Sequence, residues 1–98
     1  MPDDPGQRTA EHRSIDAEAV AEVVNRVIRQ CARVIPPTVA ITPYLELLEI
    51  GVDSMTLVEI IAHLEAELDF TFPDDLLILD TFRTPATIAS AVMGLIPE

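Results

Sequence analysis

The stretch that decides the reading is Glu49-Ile-Gly-Val-Asp-Ser54-Met-Thr-Leu-Val-Glu-Ile-Ile-Ala-His63-Leu-Glu-Ala-Glu67-Leu68. From Ser54 to Leu68 it holds no proline or glycine, and good helix formers dominate, so it predicts a helix. At about 100° per residue, Leu57, Ile61, Leu64 and Leu68 fall on one side and are expected to face the core. A second apolar stripe, Met55, Val58, Ala62 and Ala66, falls on the opposite side. In a small bundle that side should meet water. Glu59 lies on this outer stripe, with Glu65 and Asp69 toward its edges. Two readings fit: a loop covers the stripe, or it is a docking patch with an apolar centre and an acidic rim.

Gly51 predicts a sharp bend ahead of the helix, which leaves Ser54 at its start. A serine there commonly caps the helix. The same place suits a phosphoester, because free backbone N–H groups and the positive end of the helix dipole stabilise an anion. Asp53 beside it is a candidate to help hold a cation during group transfer.

Working outward, Val20, Val23, Val24, Val27, Ile28, Cys31 and Val34 recur at three- and four-residue spacing, which predicts an amphipathic helix stopped by Pro36-Pro37. Ser14 is the expected N-cap, with Asp16 and Glu18 in the first turn. Cys31 lies on the apolar stripe and reads as a buried core thiol. Residues 1–13 are polar and proline-containing and read as a disordered tail, leaving 14–98 as one domain. Between Pro36 and Val52 runs a long loop whose Val39, Ile41, Tyr44, Leu45, Leu47, Leu48 and Ile50 should pack over the core, with a helical turn expected at Tyr44–Leu48. Phe70 to Asp75 is a break. Leu76 to Leu79 has no partner strand elsewhere in the chain, so a short helical turn or packed loop is expected. Thr84 and Pro85 open a last helix through Ile88, Ala89 and Val92, which Gly94 and Pro97 end. The fold class is therefore all-α: three main helices plus one short one, with a long loop between the first and second.

The 98 residues carry 17 acidic and 6 basic side chains, all of the latter arginine, for a net charge of −11. Such a surface is repelled by nucleic acid and by anionic membranes and attracts basic protein partners. Cys31 is the single cysteine, and with two histidines there are too few ligands for the usual zinc sites. No apolar run is long enough to span a bilayer, and the first thirteen residues have no apolar leader segment, so the expected location is the cytoplasm and the expected state a monomer. A serine hydrolase needs a base within reach of Ser54. His63 stands nine residues along the same helix, about 13 Å by helical rise and on another side. No catalytic residue is expected.

The run from Glu49 to Glu67 resembles the acyl carrier protein signature, in which D/E-L-G-x-D-S-L opens a helix continuing x-x-V-E-L-x-x-x-L-E. Phe72-Pro73-Asp74 is similar to that family's I-P-D, and Thr81-Phe82-Arg83-Thr84-Pro85 to its lead into the last helix. The resemblance runs from about Ile15 to Ile96. It implies a four-helix acyl-carrier-like bundle with a short third helix. It also implies a covalent 4′-phosphopantetheine on Ser54, taken from coenzyme A by a phosphopantetheinyl transferase with magnesium. The arm would hold an acyl or aminoacyl group as a thioester. Partners would be that transferase, an adenylating ligase or acyltransferase that loads the arm, and a downstream acyltransferase or synthase. The family's partner-binding face maps onto Met55, Val58, Glu59, Ala62 and Glu65.

Three positions depart from the pattern. Met55 stands where leucine is commonest and is shared with D-alanine carriers; Val52 replaces a small residue; Ala66 replaces a frequent acid. A discrete carrier with this Phe-Arg-Thr-Pro segment looks like those of polyketide or nonribosomal pathways. Carriers for fatty-acid synthesis or D-alanine transfer are the alternatives within the family. An acidic helical adaptor without a prosthetic group is the alternative outside it.

Overall fold

The computed structural model describes residues 16–96. The tail 1–13 and the expected cap Ser14 lie outside them. Three α-helices make the frame: α1 (Ala17–Cys31), α2 (Ser54–Leu68) and α3 (Pro85–Leu95). Three short 3₁₀ turns lie between them, at Leu48–Ile50, Asp74–Leu76 and Leu79–Phe82. The fold class is the expected one, and the last two turns stand where the short helix was expected.

α1 starts at Asp16, whose carboxylate accepts the Ala19 N–H at 2.8 Å, so Asp16 is the cap and not a first-turn acid. The helix stops at Cys31, earlier than the apolar spacing through Val34 predicts. Arg29 donates to the carbonyls of Pro36 at 3.1 Å and Val39 at 2.7 Å, fastening the returning chain to the helix. That chain must leave α geometry before the prolines anyway, since Ile35 precedes one. Val34 is consequently exposed.

α1 packs on α2 and α3 around one core, in which Val20, Val24, Val27 and Ile28 meet Leu57, Ile60, Leu64, Ile88 and Val92. On α2 Ile60 and Leu64 are fully buried and Leu57 nearly so, whereas Ile61 and Leu68 are only half-buried. The core stripe is thus rotated from the expected one, toward α1, and Ile61 is left at the edge. Arg26 on α1 reaches Glu67 on α2 with two hydrogen bonds, 2.6 and 3.1 Å, across the surface of that contact.

The long loop lies over the core through Leu47, which is fully buried, with Val39, Ile41, Leu45 and Ile50 packed at its margin. Its backbone is tied to the start of α3: Leu47 N–H donates to the Arg83 carbonyl and Ala86 N–H to that of Pro43. Tyr44 and Leu48 do not pack as expected; Tyr44 is 80% exposed. The helical turn forms at Leu48–Ile50, not at Tyr44–Leu48. Gly51 then reverses the chain at φ 101°, as the bend at this position required. A Cβ on Gly51 would sit 3.1 Å from a Val34 methyl. Gly51→Ala therefore adds backbone strain to a tight contact and is expected to lower stability by about 1–2 kcal/mol, read by urea unfolding.

α2 ends where Asp69 turns left-handed (φ 56°) and donates its N–H to the Glu65 carbonyl. Edge-to-face pairs Phe70–Phe72 and Phe72–Phe82, 4.8 and 5.2 Å between centroids, anchor the connection that follows. α3 opens as predicted, with Thr84 and Thr87 capping each other and Pro85 in the first turn. Gly94 stays inside its last turn, which closes at Leu95; Pro97 lies outside the described residues.

Candidate functional site

The start of α2 is built from Gly51 to Ser54. Asp53, extended at φ −102° and ψ 179°, is the N-cap: its carboxylate accepts the Thr56 N–H at 2.9 Å. The Thr56 N–H, and second its hydroxyl, hold the Asp53 carboxyl below the usual carboxylate range. The capping role that sequence leaves open for Ser54 is therefore taken by its neighbour. Ser54 is the first helical residue, exposed, and no described residue hydrogen-bonds its hydroxyl. The N–H groups of Ser54 and Met55 also lack a protein partner among the described residues. A phosphodiester on the Ser54 oxygen would lie beside two open donors at the positive end of a helix of 15 residues. The residues present fit such a group.

A depressed carboxylate pKa stabilises the fold above the unfolded-state value, and the contribution is lost as pH falls through the folded value. On acidification below the usual carboxylate range, the Asp53 contribution is expected to disappear. Asp53→Asn keeps an N-cap acceptor that does not titrate. Its thermal midpoint is expected to lose less across that range than the parent's, as calorimetry at stepped pH would show.

Ser54 also stands at the mouth of an open groove of about 700 Å³. On the α2 side it is lined by Leu57, Val58 and Ile61. The opposite wall is Leu77 to Leu79, Asp80 and Phe82. A short helical turn or packed loop was expected over Leu76 to Leu79; short turns form at Asp74–Leu76 and Leu79–Phe82, but Leu77, Ile78 and Leu79 are exposed, Leu79 by 60%. They stand across the groove from α2, in a segment followed by the buried Phe82, which packs edge-to-face on Phe72.

Met55 and Val58 are 75% and 61% exposed, and Glu59 and Ala62 are exposed beside them. Among the described residues nothing covers the outer stripe of α2. Glu65 stands apart from them: half-buried, its carboxylate accepts the Phe72 N–H at 2.9 Å and holds the turn after α2. Sequence spacing placed Glu65 on the rim and carried no sign of this contact, which depends on the fold of residues 69–72. Sequence reasoning also missed Asp80 and the Leu77–Leu79 wall as groove residues.

His63 is turned from Ser54. Its Nδ1–H donates to the Glu59 carbonyl at 2.9 Å, and Cys31 Sγ lies 3.6 Å from the same nitrogen. Cys31 is half-buried and not a core thiol, because it ends α1 at the margin of the α1–α2 contact. Burial, then the nearby Glu59 charge, push its pKa up. Among the described residues no group of three or more potential ligands forms a metal site, and no helix is long and apolar enough to cross a membrane.

A helical bundle with a free serine hydroxyl at a helix start, beside an apolar groove, leaves that oxygen open to carry a covalent group. Residues 19–92 match the family model described as phosphopantetheine attachment site, and the chain belongs to that family of carrier proteins. Its prosthetic group is covalently attached 4′-phosphopantetheine. The chain is 29% identical over 75 residues to aminoacyl carrier protein 1 of Bradyrhizobium diazoefficiens, covering 74% of this chain and 83% of that one. Its fold is similar to a chain in the crystal structure of the Bradyrhizobium japonicum glycine:[carrier protein] ligase complexed with glycylated carrier protein. That match has a TM-score of 0.57, 23% identity, and covers 76% of this chain and 95% of the other.

Proposed function

We propose that Ser54 is the attachment point and that the chain is a discrete, non-catalytic carrier of aminoacyl or acyl groups. The observation that carries the assignment is the unengaged, exposed Ser54 hydroxyl on the first turn of α2, freed from capping by Asp53. Ser90, the other described serine, lies within α3, away from any open helix start. The arm's terminal thiol supplies the chemistry, an activated thioester. The polypeptide's part is positional. Ser54 would fix the root of the arm, the free N–H groups of Ser54 and Met55 would be open to its phosphate, and the groove beside Ser54 would offer apolar walls to the cargo. Tethering raises the effective concentration of the cargo at each partner.

Partners are a phosphopantetheinyl transferase, a loading enzyme and an accepting acyltransferase or synthase. Met55, Val58 and Ala62 give a small apolar contact, and Glu59 with the overall charge of −11 steers basic surfaces toward it. Glu65 contributes charge from a fixed position. Such contacts should be weak, as a shuttle must leave each enzyme quickly. The likeness to an aminoacyl carrier protein favours an activated amino acid as cargo and an adenylating ligase as loader. We place the chain in the cytoplasm, in specialised metabolism of the polyketide or nonribosomal kind.

The test is intact-mass and peptide-level mass spectrometry after incubation with coenzyme A, magnesium and a broad-specificity phosphopantetheinyl transferase. One added arm, mapped to the peptide holding Ser54, is the expected result. No addition, or an addition mapped elsewhere, would sink the assignment.

A further inference from the structure

We propose that Asp80 makes the groove beside Ser54 selective for cargo ending in a cation, the α-ammonium of an aminoacyl group, over cargo ending in a carboxylate. The inference rests on the carrier reading of Ser54 and deepens it by naming what discriminates the cargo. Asp80 is the sole ionisable side chain lining the groove; apart from Ser54 at the mouth, the remaining lining is aliphatic or aromatic. Among the described residues no cation pairs with it: Arg26 is held by Glu67, Arg83 lies 3.5 Å from Glu46, Arg29 donates to the Pro36 and Val39 carbonyls, and Arg33 lines a separate cleft with Cys31 and His63. It stands on the wall across from α2, next to Leu79, where the 3₁₀ turn Leu79–Phe82 holds it. A cargo group folded back from the arm would thus meet apolar walls and one negative charge that no described cation neutralises.

The sign of that charge decides which cargo rests there. An ammonium facing Asp80 is attracted. A terminal carboxylate is repelled, in a chain already at −11. A neutral acyl group feels neither. Asp80 is exposed, so the attraction is screened and modest: the resting time of an ammonium-ended cargo should change by about two- to five-fold, not by orders of magnitude.

The experiment uses the full chain, ¹⁵N-labelled. The transferase installs the arm from three stable amide-linked coenzyme A analogues, ending in glycyl, N-acetylglycyl or succinyl groups. Mass spectrometry first confirms one arm on Ser54; its absence there would overturn both this inference and the carrier reading. With the arm in place, the glycyl form is expected to shift the backbone amides of Ile78, Leu79 and Asp80 relative to the N-acetylglycyl and succinyl forms. High salt should weaken the shift. Asp80→Asn should reduce it about two- to five-fold, and Asp80→Glu should retain most of it. Equal shifts for all three cargoes, no shift in the groove, or an undiminished shift in Asp80→Asn would overturn the Asp80 inference alone and leave the arm's place on Ser54 intact.

Discussion

Replacing Ser54 with alanine is expected to abolish attachment of the arm while leaving the fold unchanged. On the proposed attachment the serine oxygen is the nucleophile, and alanine has none, so the loss should be complete at any enzyme concentration. Stability should be nearly untouched, because Ser54 is exposed, its hydroxyl bonds no described residue, and the helix is capped by Asp53. Alanine is also the better helix former at such a position. Intact mass reads the first outcome; far-ultraviolet dichroism with thermal melting reads the second. An arm still attached to Ser54→Ala, or a variant that fails to fold, would contradict the assigned division between Ser54 and Asp53.

Leu64→Ala should do the reverse. Leu64 is fully buried in the second half of α2, among side chains of the core it shares with the facing helices. Truncation removes buried methyl groups and leaves a cavity that packed helices refill only in part, for about 2–5 kcal/mol. A domain of this size has about 5–15 kcal/mol in total, so a large share of the margin is lost. Urea titration should show a midpoint far below the parent's with a similar slope. The molecules that remain folded should still accept the arm, since the start of α2 lies nearly three turns, about 15 Å, from the cavity. A change of under 1 kcal/mol would mean that α2 does not lean on the core as described.

Where the signal was local, sequence reading and structure agree. Thr84-Pro85 opens a helix by its own chemistry, Gly51 is a bend wherever it stands, and Ser54 lies at the mouth of a helix on the strength of Gly51-Val52-Asp53 alone. Where the outcome depends on contacts across the chain, pattern was insufficient. Which of two adjacent residues caps α2 turns on their backbone angles, so Asp53 and Ser54 could not be ranked by type. Leu77, Ile78 and Leu79 look like core residues because apolar runs usually are; whether anything covers them is a property of the other elements. Glu65 reads as a free acid on a helix face until the turn after α2 brings the Phe72 N–H to it. The rotation of the α2 core toward Ile60 follows from where α1 sits, and a single helix cannot report that.

The lone thiol of the polypeptide has a bearing on how long cargo survives. Thioesters exchange with thiolates and hardly at all with neutral thiols. Set half-inside the α1–α2 seam and next to a negative charge, Cys31 stays protonated more firmly than a free cysteine would. A thioester carried on an arm at Ser54 would for that reason exchange less readily with the molecule's own side chain.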